Sequence, residues 1–358
     1  MFLCPLPFKS VATTIKGDYQ ICPLSQTYSS IDKLTPLEFF NSSYVDTIRT
    51  DMKNGVFSES IKHNCKRCVD DEKSNIKSMR QIYLESSPIP DTNFEEFYIR
   101  HVGNRCNLKC ITCGPDASST FGELIDVYDK SKFEFKSLLN TLKTIYIIGG
   151  EPLVTNSVKS IFYDISGKDI TVDFTTNATV FPKYLNDIDF KDLRITISLD
   201  GLYGVDDYVR NFSIFEKKMK NISKFYKLTP NIDFHVTLTI CNFKYINDMK
   251  KFLKQEFDYN LNSVFRLIVP HYLDPVNIPR EFNFDYQNEF FKTDIGNSES
   301  FETGISFLKT YDKQYNKNLL DYCLEYKPYY EKAIDNFDGV DVMEKYTNNV
   351  PPLVEYEI

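Results

Sequence analysis

Three cysteines, Cys106, Cys110 and Cys113, lie on one short stretch directly after a β-rich run. This C-x3-C-x2-C spacing brings three thiolates onto one loop, where each can bind a different iron of a cubane cluster and leave the fourth iron without a protein ligand. Catalytic metal sites keep such an open position for a substrate or cofactor. A zinc loop uses the same residue type. The spacing alone therefore leaves both an iron–sulfur cluster and zinc open.

Six short runs rich in Ile, Val, Phe or Thr alternate with longer segments of helical character through the middle of the chain. These runs lie at 97–102, 144–148, 170–175, 193–199, 233–240 and 263–269. The alternation is typical of repeated βα units with parallel strands and right-handed crossovers. We therefore predict an α/β fold with a partial (β/α)6 barrel, and we expect the functional loops at the carboxyl ends of its strands.

The composition is that of a globular protein, with 42% hydrophobic and 26% charged residues. The formal charge is -8, from 50 acidic and 42 basic side chains, so the overall field repels phosphate backbones and disfavours nonspecific binding to nucleic acid. A local basic groove would still admit a structured RNA. No signal peptide and no apolar run of membrane-spanning length is evident, which predicts a cytoplasmic protein without a membrane partner.

The first 90 residues contain a second group of cysteines, Cys4, Cys22, Cys65 and Cys68. Because the cytoplasm keeps thiols reduced, clustered cysteines indicate a metal site rather than disulfides. We predict three units: a small cysteine-rich module at 1–90, the barrel at 91–280, and a mostly helical extension at 281–358. Within the module, Thr35 followed by Pro36 is a helix start signal.

Further stretches follow the three-cysteine loop in a fixed order. Gly149-Gly150-Glu151-Pro152 closes the second predicted strand, Asn177 follows the third, and the fourth contains Ser198 and Asp200 and leads on to Arg210. Together with the cysteine loop, this series resembles the radical S-adenosylmethionine (SAM) superfamily. The resemblance implies a [4Fe–4S] cluster on Cys106, Cys110 and Cys113 with SAM bound at its open iron, in a partial barrel of the radical SAM type.

The resemblance also implies roles for the residues around SAM. Gly149, Gly150 and Glu151 would receive its amino group, and Arg210 would bind its carboxylate, a task suited to a planar and permanently charged guanidinium. Ser198 and Asp200 would face the ribose. Asn177 resembles the T-N-G turn of the family, although Ala178 stands in place of its glycine, and Thr112 stands where many members have an aromatic residue before the third cysteine. No catalytic acid or base is assigned.

The N-terminal cysteines resemble the auxiliary-cluster pattern of SPASM and twitch modules. Cys4, Gly17 and Cys22 match the opening C-x9-15-G-x4-C, and Cys65 with Cys68 supply its C-x2-C. Four thiolates would complete a second [4Fe–4S] cluster, although tetrahedral zinc accepts the same ligands. Family members usually carry this module after the barrel, whereas here it comes first.

The implied reaction is the reductive cleavage of SAM to a 5′-deoxyadenosyl radical that takes hydrogen from a substrate. An electron donor such as flavodoxin or ferredoxin is then required. SPASM and twitch relatives often modify peptides, so we expect a peptide or protein side chain as the substrate, with a nucleobase or small metabolite as the alternative. A non-enzymatic zinc or iron–sulfur protein is the alternative of another class.

Overall fold

The structure is a computed structural model that describes residues 2–73, 77–86, 89, 91–100, 102–127, 135–267, 270–284 and 296–335, with the backbone alone for 353–357. Parts of several predictions lie outside the described residues. These are residue 101 of the first predicted strand, residues 268 and 269 of the sixth, and much of the predicted extension at 281–358.

The elements follow one another along the chain as short helices, then alternating strands and helices, then helices again. The strands are β1 (Ser10–Thr13), β2 (Tyr19–Gln20), β3 (Glu96–Ile99), β4 (Lys109–Cys110), β5 (Thr144–Ile147), β6 (Thr171–Thr176), β7 (Asp192–Ser198), β8 (Arg210–Asn211), β9 (Ile232–His235), β10 (Thr237–Leu238), β11 (Ser263–Leu267) and β12 (Leu353–Glu357). The α-helices are α1 (Leu6–Lys9), α2 (Pro36–Phe40), α3 (Ser43–Lys53), α4 (Glu59–Asn64), α5 (Lys66–Lys73), α6 (Met79–Ser86), α7 (Phe135–Leu138), α8 (Asn156–Ile165), α9 (Gly204–Val209), α10 (Phe215–Phe225), α11 (Ile246–Phe257), α12 (Ser298–Tyr315) and α13 (Lys327–Lys332). Short 3-10 turns include Pro152–Val154 and Lys183–Asp187.

A seven-stranded sheet in the order β2-β1-β3-β5-β6-β7-β9 forms the centre of the molecule. Strands β3, β5, β6, β7 and β9 run parallel in chain order, as βα units require. Strand β10 continues one residue after β9 and pairs in parallel with β11, which pairs in turn with β12. The predicted α/β class with a parallel sheet is therefore confirmed. In the described part of the chain the strands form no closed ring.

Between β9 and β10 the chain changes its pairing partner, because β9 pairs with β7 and β10 pairs with β11. Leu199 donates its backbone N–H to the carbonyl of His235, and Phe265 donates to the carbonyl of Val236. The N–H of Thr237 is bound by the carboxylate of Asp200 at 2.7 Å. The predicted strand at 233–240 is consequently split into two shorter strands.

The N-terminal residues join the same sheet. Strand β1 pairs in parallel with β3 and antiparallel with β2. The predicted start of α2 is confirmed, because Thr35 and Glu38 form a reciprocal capping box at its first turn. The division of the chain near residue 90 stays a prediction.

The two faces of the sheet differ in character. One face is apolar and fully buried, with Ile147, Phe174 and Ile197 packed beneath helices such as α8, whose Phe162 contacts Phe174 at 5.6 Å between ring centroids. The other face, which we call the open face, is mainly polar, and most of its side chains are partly exposed, although Tyr98 is buried. In register from β3 to β7 these are Tyr98, Tyr146, Asp173 and Arg194, followed one step further along by Ile148, Thr175 and Thr196. No described helix is long and apolar enough to span a membrane.

Candidate functional site

The three-cysteine loop leaves the end of β3 and is held against the segment that contains Arg210. Strand β4 pairs antiparallel with β8, so that Cys110 lies opposite Arg210. Ile111 extends this pairing with a hydrogen bond from its N–H to the carbonyl of Val209 at 2.9 Å. Two parts of the sequence that are about one hundred residues apart are thus joined at the candidate cluster site.

Hydrogen bonds from polar side chains to backbone carbonyls fix the conformation of the three-cysteine loop. The carbonyl of Leu108 accepts hydrogen bonds from Ser118 at 2.8 Å and Thr120 at 2.9 Å. The fully buried Asn104 donates to the carbonyls of Pro115 and Glu123. Because short-range spacing does not show these contacts, the sequence reasoning missed all of these residues.

The three thiols lie in one electrostatic neighbourhood. Burial raises the pKa of Cys106 to about 11, with Cys110 acting in the same direction. A hydrogen bond between the thiols of Cys110 and Cys113 lowers the pKa of Cys110 and raises the pKa of Cys113. Arg210 lowers the pKa of both. Thiolates formed here on binding a metal cluster would therefore be stabilised by this guanidinium.

The turn Gly149–Pro152 packs against the chain that leads into the cysteine loop. Gly150 and Glu151 donate their N–H groups to the carbonyls of Gly103 at 3.1 Å and Arg105 at 2.7 Å. A Cβ atom on Gly150 would lie 2.4 Å from the carbonyl oxygens of Asn104 and Arg105. The second glycine is therefore required by the close approach of two backbones.

Glu151 is almost fully buried, at 1% exposure, and its carboxylate is bound by protein donors. It accepts hydrogen bonds from Leu153 N–H at 3.1 Å, Thr176 hydroxyl at 2.8 Å and Asn177 N–H at 2.7 Å. Burial raises the pKa of Glu151, although these hydrogen bonds act in the opposite direction. In this structure Glu151 thus fixes the Gly149–Pro152 turn to the end of β6. Its contact with the amino group of SAM stays a prediction.

Asn177 links that turn to the cysteine loop. Its amide donates to the side-chain oxygen of Asn107 at 3.0 Å, and the amide of Asn107 donates to Thr179 at 2.7 Å. The next residue, Ala178, has a positive φ of 56°, a conformation that favours glycine. The backbone at Ala178 therefore has a conformation that a glycine would adopt more easily.

Arg210 lies against Asp200, with 2.8 Å between its Nε and a carboxylate oxygen. Asp200 is fully buried and binds Thr237 N–H through its other oxygen. Burial opposes the charge on Arg210, but Asp200 and Cys110 outweigh burial and raise the pKa of Arg210. Burial raises the pKa of Asp200, and Arg210 acts against that rise. In the structure the carboxylate of Asp200 faces Arg210 and Thr237 N–H. Its contact with the ribose of SAM stays a prediction.

A second buried ion pair supports the same region. Asp206 accepts the N–H of Asp200 at 3.0 Å and forms an ion pair with Lys218, both side chains being fully buried. The hydroxyl of Ser213 also donates to Asp206 at 3.2 Å. The loop between β7 and α10 is thereby fixed around Asp200 and Arg210.

Ser198 and His235 occupy facing positions at the ends of β7 and β9. The His235 ring stacks on Phe265 with 4.0 Å between centroids. Burial, together with Arg210, lowers the pKa of His235 to about 4. This neutral imidazole near Arg210 was not identified from the sequence, where it is an isolated histidine.

The four N-terminal cysteines line a single cavity of about 210 Å³. Its wall also includes Tyr83, Tyr98 and Ile148, the last two from the open face. Burial raises the pKa of all four thiols, to about 12 for Cys4 and about 11 for Cys22. The cysteines of this group also raise the pKa values of one another, as expected for side chains that lie close together. Among the described residues, no three His, Cys, Asp or Glu side chains converge as ligands of a single metal ion would.

Arg80 is the cation beside this cavity, and it is held by a two-point contact with Glu72. Its Nε and Nη2 donate to the two carboxylate oxygens at 2.9 Å and 2.7 Å. A third donor reaches the carbonyl of Leu3 at 3.0 Å. Arg80, which belongs to helix α6, thus binds the segment before Cys4 to this helix.

No protein-family model matches the chain. GTP 3′,8-cyclase from Campylobacter fetus is 29% identical over 180 residues, which are 48% of this chain and 54% of that protein. GTP 3′,8-cyclase from Clostridium acetobutylicum is 30% identical over 163 residues, 43% of this chain and 49% of that protein. The chain thus matches about half the length of these two curated relatives.

Solved structures with a similar arrangement include SuiB of Streptococcus suis bound to the precursor peptide SuiA. It has 17% identity and a TM-score of 0.40, over 72% of this chain and 60% of that chain. A second is anSMEcpe with bound AdoMet and the Cp18Cys peptide, with 17% identity and a TM-score of 0.37 over 65% of each chain.

The motif series and the curated relatives agree on one class. The chain is similar to the radical S-adenosylmethionine superfamily of enzymes. The cofactors of that class are a [4Fe–4S] cluster and SAM.

Proposed function

We propose that this protein cleaves SAM reductively at a [4Fe–4S] cluster held by Cys106, Cys110 and Cys113. The observation that carries the proposal is the β4–β8 pairing, which places Cys110 opposite Arg210. When bound, the cluster and SAM supply a 5′-deoxyadenosyl radical that takes a hydrogen atom from the substrate. Three cysteine thiols on one partly buried loop, beside a guanidinium that stabilises thiolates, suit this cluster.

The residues around the loop would bind and orient SAM. Arg210 would bind its carboxylate, and Asp200 keeps the guanidinium in place. Gly149 and Gly150 would offer backbone groups to its amino group, while Glu151 and Asn177 hold that turn against the cysteine loop. Ser198, half-buried at the end of β7, would face the ribose.

The cavity lined by Cys4, Cys22, Cys65 and Cys68 is proposed to hold a second [4Fe–4S] cluster. Four thiols around one cavity, one buried and three partly buried, match the ligand set of a closed cluster. Zinc is the competing occupant because it accepts four thiolates as well. The twitch-like description of residues 1–90 depends on this assignment.

The proposed substrate is a peptide or protein side chain. We take the open face as the substrate space. Its support is the four-cysteine cavity, which Tyr98 and Ile148 of the open face line, so that the proposed second cluster would lie next to the substrate. A nucleotide is the second candidate, favoured by the curated relatives named GTP 3′,8-cyclase. The electron would come from a flavodoxin or ferredoxin, in a reducing compartment such as the cytoplasm, where nine free thiols persist.

Metal analysis of anaerobically purified protein tests both cysteine sites. Two cubanes give about eight irons and eight sulfides per chain, whereas one cubane with zinc gives about four irons and one zinc. The Cys65→Ala variant should lose the second group and keep the first. An unchanged metal content in Cys65→Ala would show that the N-terminal cysteines hold neither group.

A further inference from the structure

Arg100 stands at the end of β3, on the open face between the two cysteine sites. Ile99 is opposite Ile147 in the ladder, and Ile148 donates its N–H to the carbonyl of Ile99, so the pairing continues to the residue before Arg100. Side chains alternate along a strand, which puts Arg100 on the same face as Tyr98. Tyr98 in turn stacks on Tyr146 of that face at 4.2 Å.

The position connects the two halves of the proposed site. Tyr98 and Ile148 line the four-cysteine cavity, and Ile148 directly precedes the turn that begins at Gly149. The N–H of Arg100 is fixed by the hydroxyl of Thr13 at 3.0 Å. A ligand bound by Arg100 would therefore lie between the SAM site and the four-cysteine cavity.

Arg100 differs in its surroundings from three other shielded arginines, and a fourth, Arg49, lies away from the open face, where it contacts the Pro7 carbonyl and the Phe40 ring. Arg80, Arg210 and Arg266 each face a carboxylate within 2.8 Å. Within the ranges that the structure describes, Arg100 forms no ion pair, and its guanidinium donates no hydrogen bond. Burial lowers the pKa of Arg100, and no neighbouring charge contributes to the shift. A partly buried cation without a counter-charge is unfavourable, and an anionic ligand would offset that cost.

We propose that Arg100 is the anion-binding residue of the substrate site and that it takes a carboxylate or a phosphate group of the substrate. The guanidinium matches either group through two parallel hydrogen bonds. A carboxylate would come from a peptide and a phosphate from a nucleotide. This inference deepens the proposed function and rests on it, because it takes the open face as the substrate space.

The test measures thermal unfolding of the anaerobically purified protein in rising acetate or inorganic phosphate, against chloride at equal ionic strength. We expect one of the two anions to raise the Tm of the wild type by about 2 °C or more. Arg100→Gln should lose this rise, and Arg100→Lys should keep part of it. Arg194→Gln is the matched control, because Arg194 lies exposed on the same face and pairs with Asp192. A response to phosphate indicates a nucleotide-like substrate, and a response to acetate indicates a peptide-like one.

A further variant separates ligand binding from a purely structural role. Without added anion, Arg100→Met should have a higher Tm than the wild type, since it removes an uncompensated charge. A lower Tm for Arg100→Met, or an equal anion response in Arg100→Gln and wild type, would overturn the proposal. Loss of the anion response on saturation with SAM would also overturn the proposal. The added anion would then occupy the site of the SAM carboxylate rather than a substrate site. Release of 5′-deoxyadenosine by the wild type tests the proposed function independently of these measurements.

Discussion

Asp200 and Arg210 face each other at 2.8 Å beside the cysteine loop, and the carboxylate of Asp200 is completely shielded from water. The same carboxylate binds Thr237 N–H, which fixes Asp200 at the break between β9 and β10. The orientation of the guanidinium is thus set by the end of the sheet. Asp200 is a positioning residue for Arg210 in this arrangement.

Replacing Asp200 with Ala should leave Arg210 buried without its counter-charge. Removing one partner of a buried ion pair costs about 3–5 kcal/mol of stability. Binding of SAM should weaken at least about tenfold, which is 1.4 kcal/mol, because Arg210 is no longer held in place. Urea unfolding and equilibrium dialysis with labelled SAM measure the two effects.

Asp192→Ala is the control for this substitution, since Asp192 lies 3.5 Å from the exposed Arg194. Exposed pairs contribute about 0–1 kcal/mol, so its stability and SAM binding should stay close to those of the wild type. Equal effects of the two substitutions would contradict the positioning role of Asp200.

Glu151→Gln should destabilise the turn that packs on the cysteine loop. The carboxylate accepts from Leu153 N–H on one oxygen and from Asn177 N–H on the other, so an amide must turn its NH2 group towards one of these donors. An unsatisfied buried donor costs about 1–3 kcal/mol. Chemical unfolding measures this loss, and iron analysis should show lower occupancy of the three-cysteine site. The exposed Glu216 on α10 offers the comparison, and no effect beyond that of Glu216→Gln would refute this role.

Ala178→Gly should leave the protein as stable or make it more stable by up to about 1 kcal/mol. Ala178 has a φ of 56°, and a residue with a Cβ atom pays about 1 kcal/mol or more for this conformation. Ala12→Gly, at a buried position of β1, should instead lower stability, because glycine is unfavourable inside a strand. Thermal unfolding of both variants makes the comparison. A destabilised Ala178→Gly would show that the methyl group, rather than the backbone conformation, determines the residue at this position.

His235 should make the protein less stable as the pH falls from about 6.5 to 4. Its pKa is lowered to about 4 in the folded protein, whereas an unfolded histidine takes up its proton near pH 6.5. The unfolded state therefore binds more protons between these values, and the loss reaches up to about 3 kcal/mol. His235→Phe keeps the stacking on Phe265 and removes this effect.

The measurement is the difference in unfolding free energy between wild type and His235→Phe at pH 7 and pH 4.5. Burial raises the pKa of Asp173 to about 6, which acts with the opposite sign, but Asp173 is present in both proteins. A difference that does not change with pH would contradict the low pKa of His235.

Much of the sheet could be predicted because its signals are local. The first four predicted β-rich runs became β3, β5, β6 and β7 of the main sheet, and the run at 263–269 became β11 of the smaller sheet. The run at 233–240 became the two strands β9 and β10. That split depends on the Asp200 carboxylate, which reaches Thr237 across the structure. Pairing of β1 with β3 was likewise not predicted, because β1 is four residues long and its partner lies more than eighty residues away.

The site shows the same limit. Fixed spacing identified the cysteines and the Gly149–Pro152 turn, but Asn104 and Asn107 received no role because their partners are distant in sequence. Asn107 lies inside the cysteine motif, yet its contact with Asn177 spans 70 residues. Arg100 and His235 belong to no sequence motif. Only the structure distinguishes them, through their burial and their neighbours on the open face.

If Cys106, Cys110 and Cys113 form a site that cleaves SAM, the protein releases 5′-deoxyadenosine. Anaerobically reconstituted protein is incubated with dithionite and SAM, and the product is quantified by chromatography. We expect release by the wild type, none by Cys110→Ala, and at least substrate-independent release by Cys65→Ala. A wild type with a full complement of iron and sulfide that forms no 5′-deoxyadenosine would contradict this expectation.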